Sequence, residues 1–494
     1  MRFFCVFNSE MNYKTHINIS DTIKIKQKET TMKTPNNLKN KFKKEKDILQ
    51  IAGGVNKPPH NERSKKSKKS FRKESPNPDY IDKLIELYYD NDKNAMQYLE
   101  SAHKQMYKLQ PQNRLIVIGD IHGDFDVAIE CLILAGCIST ITPPSDKTVD
   151  NMNNFFNNLK WIGGSTYVIQ LGDQIDRIRP QSWDSNSIAN ELAFQDEGTT
   201  LEIFYLFWHI NNLAYQQGGR VFCIIGNHEI MNVEGDFRYV SRQEFRSFKD
   251  HLKYVYHNKS KYPYNSRTLK NARDLLNSSR TKKFGKLKNS INEQKQVKLP
   301  DGYRERLYAF SPTGLCANFL GRNYYTMIQI GSWLFCHGSP TMDTVKTYSI
   351  DLINSVTSMY LLGLESEDKK IQNHFDNLSK DKTTNHTTDD SSSILWSRTF
   401  GESPTSTMLE QHLTNILETY NQTNNNNTYP ATHIAIGHTP QRESGINSIC
   451  NGRVWRCDIG MSKAFITDEK EKHIPRKIQV LEIINNTNPR VLSS

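Results

Sequence analysis

The sequence contains no Cys-x-x-Cys pair, which argues against a zinc ribbon. Its eight cysteines, Cys5, Cys131, Cys137, Cys223, Cys316, Cys336, Cys450 and Cys457, are scattered, several of them inside apolar runs. Sparse cysteine in a chain of 494 residues fits a reducing compartment better than a disulfide framework. No apolar run approaches the roughly 20 residues needed to cross a bilayer. Residues 3–7 are apolar but too short for a signal h-region, and polar residues follow at once. The expectation is an intracellular, cytoplasmic protein without a transmembrane segment. No internal repeat is evident.

The chain is also poor in hydrophobic residues, at 36 % with a mean hydropathy of −0.67. Polar surplus must therefore lie outside a packed core. Its net charge of +11 is unevenly spread: residues 1–80 hold 19 Lys and Arg against 8 Asp and Glu, and the remainder holds 45 of each. Residues 1–78 read as a disordered basic arm. Lys65, Lys66, Lys68, Lys69, Arg72 and Lys73 form a cluster broken by serines. Such a cluster can contact a polyanion or serve as a nuclear-type address, and it is equally at home in a plain linker.

Residues 79–111 read as a helical lead-in, from the spacing of Ile81, Leu84, Ile85, Leu87 and Tyr88. A catalytic domain follows over 112–486, with polar insertions near 251–300 and 365–393, an Asn run at 424–427, and a short tail at 487–494. Strands are expected at 115–118, 166–171, 221–225, 334–336, 433–436, 454–457 and 478–484, with helices at 127–134 and 201–215. This alternation predicts an α/β layered fold.

Chemistry gathers where those strands stop. The first ends in Gly119, Asp120, Ile121, His122, Gly123; the second in Gly172, Asp173, Gln174, Ile175, Asp176, Arg177; the third in Gly226, Asn227, His228, Glu229. Two later strands run into His337 and His438. In open α/β sheets, ligands bind beyond the carboxyl ends of the strands. Asp120, Asp173 and Asn227 offer oxygen, and His122, His337 and His438 offer imidazole. That mixture suits two borderline divalent metals, Mn, Fe or Zn, better than an all-oxygen cage. One such tip is ordinary turn chemistry; five in a single chain point to a dinuclear site with Asp173 placed to bridge.

The order of these segments resembles the calcineurin-like metallophosphoesterases, and within them the phosphoprotein phosphatases. The branch called Shewanella-like phosphatases is the nearest match. Gly226 to Asn232 running on to the Gly-Asp-Phe-Arg-Tyr-Val-Ser of 235–241, Gly437–His438–Thr439–Pro440–Gln441 and 454–462 carry that likeness. It covers roughly residues 112–484 and implies a fold of two packed mixed β-sheets flanked by helices. It implies that Asp120 and His122 hold the first metal, that Asp173 bridges, and that Asn227, His337 and His438 hold the second. His228 would be the general acid, oriented by Asp176. Arg177, Arg398 and Asn227 would bind the substrate phosphate. The implied activity is hydrolysis of Ser/Thr or Tyr phosphomonoesters in phosphoproteins by a metal-bridging hydroxide. The alternatives are a small-molecule phosphoesterase, a nucleic-acid phosphodiesterase and an inactive binding module. Most family members carry Gly after the Asp-Arg pair, where this chain has Ile178.

Overall fold

The computed structural model describes Tyr80, Lys83 and residues 107–179, 197–257, 300–364, 366–378, 393–425, 428–466 and 477–494, with backbone alone at 251–257. The basic arm, most of the helical lead-in and the greater part of both insertions lie outside these residues. The strands are β1 (Lys108–Leu109), β2 (Arg114–Ile118), β3 (Tyr167–Gln170), β4 (Arg220–Ile224), β5 (Tyr324–Tyr325), β6 (Met327–Ile330), β7 (Trp333–Cys336), β8 (His433–Ile436), β9 (Asn447–Ile449), β10 (Val454–Arg456), β11 (Gln479–Ile484) and β12 (Asn488–Ser493). The helices are α1 (Phe125–Leu134), α2 (Val149–Asn158), α3 (Thr200–Tyr215), α4 (Asn227–Val233), α5 (Arg242–His257), α6 (Tyr303–Phe310), α7 (Leu315–Asn323), α8 (Met342–Thr347), α9 (Ile350–Leu361), α10 (Lys369–Asn377), α11 (Thr399–Glu402) and α12 (Thr407–Thr423).

Two six-stranded mixed sheets result. One has the order β12-β11-β2-β3-β4-β5 and the other β1-β6-β7-β8-β10-β9. In the first, β2, β3, β4 and β5 run parallel. In the second, β7, β8 and β10 do. Parallel strands are covered on both faces and so read as continuous apolar runs; Leu115, Ile116, Val117 and Ile118 are all fully buried. Side-chain caps fix where the helices begin: Asp124 for α1, Thr148 for α2, Ser349 for α9 and Ser406 for α12. A small satellite core of Phe237, Val240, Phe245, Tyr303 and Leu307 packs beside the main one.

Three segments differ from the sequence expectation. Lys108–Leu109, at the end of the stretch with helical spacing, pair with β6 as a short parallel strand. The tail at 487–494 becomes β12, because Asn485 and Asn486 both take left-handed backbone, with φ of 52° and 64°. That is the requirement of a tight hairpin turn, here met without glycine. Within the second polar insertion, residues 369–377 form α10, which is capped by Asp368 and buries Ile371 and His374.

Candidate metal centre

The parallel strands of both sheets deliver their carboxyl ends to one place. From the first sheet come Asp120 and His122 after β2, Asp173 and Asp176 after β3, and Asn227 and His228 at the start of α4. From the second come His337 after β7 and His438 after β8. All eight are buried. His122, Asp173, Asp176 and His438 have positive φ, at 47°, 50°, 75° and 68°. Such backbone costs of the order of 1–3 kcal/mol per residue and persists where the surroundings over-determine it. Here it turns each side chain inward at the strand end. The Asp173 carbonyl accepts from both Ile121 N and His122 N, at 3.0 and 2.9 Å, which ties the β2 and β3 tips together. Gly226 and Gly437 leave the room: a Cβ on the first would strike the Asp173 carboxylate, and on the second that of Asp120.

The ring nitrogens are already sorted. His337 Nδ1 faces the Leu171 carbonyl at 2.8 Å, His122 Nδ1 that of Ile175 at 3.2 Å, and His438 Nε2 that of Trp396 at 3.2 Å. A carbonyl only accepts, so each of those nitrogens carries the proton and the other is left as a lone pair. The free nitrogens are His337 Nε2, His122 Nε2 and His438 Nδ1. His337 Nε2 lies 2.9 Å from Asn227 Oδ1 and 3.3 Å from Asp173 Oδ2. His122 Nε2 lies 3.8 Å from Asp120 Oδ2 and 3.9 Å from Asp173 Oδ2. Lone pairs facing lone pairs repel unless a cation sits between them. Donors about 2.1 Å from a shared metal stand about 3–3.5 Å apart. The donor set therefore fits a two-metal site.

The charges at His122 and His438 agree with this, whereas the Asp173 carboxylate raises His337 above the usual imidazole value despite its burial. Burial first, then the neighbouring Asp458 and Asp173 carboxylates, push Asp120 well above the usual carboxylate range. Burial and the Arg179 charge hold His122 well below the usual imidazole value. Burial and Arg398 do the same for His438. Neutral imidazole is the form that binds metal. For Asp173, burial works against ionisation, but His337 and then His228 outweigh it and keep the carboxyl well below its usual range.

His228 Nδ1 bonds Asp176 Oδ2 at 2.7 Å, and its Nε2 stands 3.8 Å from Asp173 Oδ2. Asp176 is held in turn by Asn232 Nδ2 at 2.9 Å and Arg306 Nη2 at 3.4 Å. Arg306 is fully buried, and its Nε donates to Asn232 at 2.8 Å. Two carboxylates brace the loops. Glu229 accepts from Gly226, Asp173 and Gln174 N–H, at 2.7, 3.0 and 2.8 Å. Glu244 accepts from Asp176, Arg177 and Ser241 N–H and from Thr200 Oγ1, at 2.9–3.1 Å.

The arginines separate. Arg177 is buried, its Nη1 3.1 Å from Asp124 and 3.2 Å from Ser462 Oγ. Arg398 donates to the His438 carbonyl at 3.0 Å and remains half-buried. Glu229, Asn232 and Asp458 stand in the motifs read from the sequence but carry no role there, and Glu244, Arg306 and Arg179 are absent from that reading. Asp458 stands two residues past the end of β10 and so had the strand-end signal; Arg306 lies beyond the first insertion and had no local one. A further acidic group, Asp124, Asp126 and Glu197, is ion-paired with Lys463, 2.7–3.5 Å from each, with Arg177 also on Asp124 and Lys147 on Asp126.

A family model described as calcineurin-like phosphoesterase matches residues 113–442. The chain belongs to this family. It is therefore a hydrolase of the phosphoesterase kind. It is 26 % identical to Shewanella-like protein phosphatase 2 of Arabidopsis thaliana, over 84 % of this chain and 88 % of that one. It is 24 % identical to Shewanella-like protein phosphatase 1 of Plasmodium berghei, over 74 % and 72 %. A crystal structure of the cold-active protein-tyrosine phosphatase of a psychrophilic Shewanella covers 78 % of this chain and 82 % of its own, at 15 % identity and a TM-score of 0.42. Among the described residues no helix is long and apolar enough to cross a membrane.

Proposed function

We propose that this phosphoesterase is a metal-dependent phosphoprotein phosphatase acting on Ser/Thr or Tyr phosphomonoesters. The observation that carries the reading is the 2.7 Å His228–Asp176 bond, which leaves the other imidazole nitrogen facing the Asp173 carboxylate at 3.8 Å. A monoester leaves as an alkoxide or phenolate and needs a proton; imidazole supplies one near neutral pH. Asp120 and His122 would hold one ion, Asn227, His337 and His438 the other, and Asp173 both. When bound, two divalent cations such as Mn, Fe or Zn neutralise phosphate charge and bring the pKa of water down to about 7. Asp176 accepts from His228 Nδ1 and so fixes which ring nitrogen faces the metal centre. Asn232 and Arg306 keep that carboxylate from turning away. The names of the Arabidopsis and Plasmodium relatives support a phosphoprotein as substrate.

The test is hydrolysis by metal-stripped protein reloaded with Mn, beside a His228→Asn variant. The substrates are a phosphotyrosine peptide, a phosphothreonine peptide and a dinucleoside polyphosphate. Turnover of a phosphopeptide that the variant loses supports the reading. Cleavage of the dinucleotide alone transfers the site to a small-molecule phosphoesterase.

A further inference from the structure

Arg177, the arginine that follows Asp176, has its charge spent on Asp124 inside the fold. Its hydrogen bond to Ser462 continues through Ser462 Oγ to the His122 carbonyl at 3.1 Å. It fastens the β3 tip to the loop at 462–463. Two residues on, Arg179 behaves differently. Its Nη1 donates to the Asp176 and Ile178 carbonyls, at 3.1 and 2.8 Å. Its guanidinium lies between two rings, with Tyr239 at 5.2 Å and Phe465 at 4.8 Å from the charge centre. Those rings are walls of the metal centre: Tyr239 meets His228 edge-on at 4.7 Å, and Phe465 meets His122 at 5.4 Å. Arg179 has no carboxylate within ion-pair distance among the described residues, yet its charge is felt by His122, Asp173, Asp176 and Asp458.

We infer that Arg179, and not Arg177, is the residue that grips the substrate phosphate. The inference rests on the reading of this centre as a phosphomonoesterase site. With Nη1 taken by two carbonyls and the Tyr239 and Phe465 rings packed beside the charge centre, Nε–H and Nη2–H remain as one side-on edge. That edge is the bidentate donor geometry which matches two phosphate oxygens. The rings hold the plane in advance, so little side-chain entropy is lost on binding. Ile178 in place of the usual Gly belongs to the same arrangement. Its N–H donates to the Tyr239 carbonyl at 3.0 Å and its side chain is buried, which sets Arg179 beside Tyr239. Arg398 lies on the His438 side, where it donates to the His438 carbonyl at 3.0 Å.

The experiment is calorimetric binding of inorganic phosphate to Mn-loaded full-length protein, which needs no turnover. The proteins are wild type, Arg179→Met, Arg179→Lys and His228→Asn. The dissociation constant should weaken about tenfold or more in Arg179→Met. Arg179→Lys should recover only part of that loss, because ammonium cannot copy the fork. An unchanged constant in both Arg179 variants overturns the inference and leaves the phosphatase reading standing. If His228→Asn keeps full hydrolytic activity, the acid assignment fails while the Arg179 result is read independently. With p-nitrophenyl phosphate the Arg179 effect should fall mainly on KM; a change confined to kcat would also overturn the inference.

Discussion

The two sheets build the metal centre in different ways. The tips of β2, β3 and β4 are braced by buried carboxylates, Glu229 and Glu244, which together accept six backbone N–H groups and one hydroxyl. The tips of β7 and β8 offer one imidazole each, and each ring is steadied by one main-chain carbonyl, from Leu171 and Trp396. On the proposed reading the first half combines metal binding, proton delivery and local folding, and the second half contributes ligands and little else. Damage to the first half should therefore appear in stability or chemistry, and damage to the second in metal occupancy.

The largest effect should come from the first half. His228→Asn should lower kcat about 10²- to 10⁴-fold, the usual value of a positioned proton donor, with metal content unchanged by elemental analysis. Loss of metal in that variant would erase the division of labour. Next comes metal itself. Mn at a hundred times its dissociation constant should stabilise wild type by about 2.7 kcal/mol per bound ion in denaturant unfolding. His438→Ala should lose at least half of that gain yet match wild type when both are metal-free. If the metal-free variant is already destabilised, the second half is structural after all.

Glu244→Ala should act the other way. It orphans buried donors and should cost the metal-free protein about 1–3 kcal/mol. Unchanged stability there would remove the contrast between the sheets. The smallest effect lies outside both halves. Burial depresses His374 to about 4, where it faces Thr357 Oγ1 at 3.0 Å and the Tyr348 ring. The unfolded chain protonates this group below about 6.5 while the folded chain does not until pH 4 is approached. Stability is therefore lost as pH falls through that window, by about 1 kcal/mol between pH 7 and 5.5. His374→Gln should remove that portion of the acid slope, as measured by urea unfolding at each pH.

Much of the first half could be read from the chain, because a strand end is a local event. An apolar run, a glycine and a liganding residue are contiguous in sequence, so Asp120, Asp173 and Asn227 announce themselves. So do His337 and His438, once the strand before each is recognised. The bracing residues could not be read this way. Glu244 and Arg306 sit on helices with ordinary amphipathic patterns, and their function depends on which loop is packed against them. Residues 487–494 were misjudged for a related reason. The left-handed backbone at Asn485 and Asn486 makes a hairpin possible, but only the free edge of β11 gives it something to pair with.

The sequence by itself determined the donor set, its order along the chain and the α/β layering, since each depends on residues that are neighbours in the chain or on short-range periodicity. Tertiary structure decided which ring nitrogen faces inward, which acids brace the loops and where each arginine's charge goes. Arg177 and Arg179 differ little in local sequence. Burial against Asp124 claims the first charge, and a slot between Tyr239 and Phe465 keeps the second beside the metal centre. That choice depends on loops from 236–241 and 462–465 which meet the β3 tip only after folding, because the energy of a charge is set by what surrounds it in space.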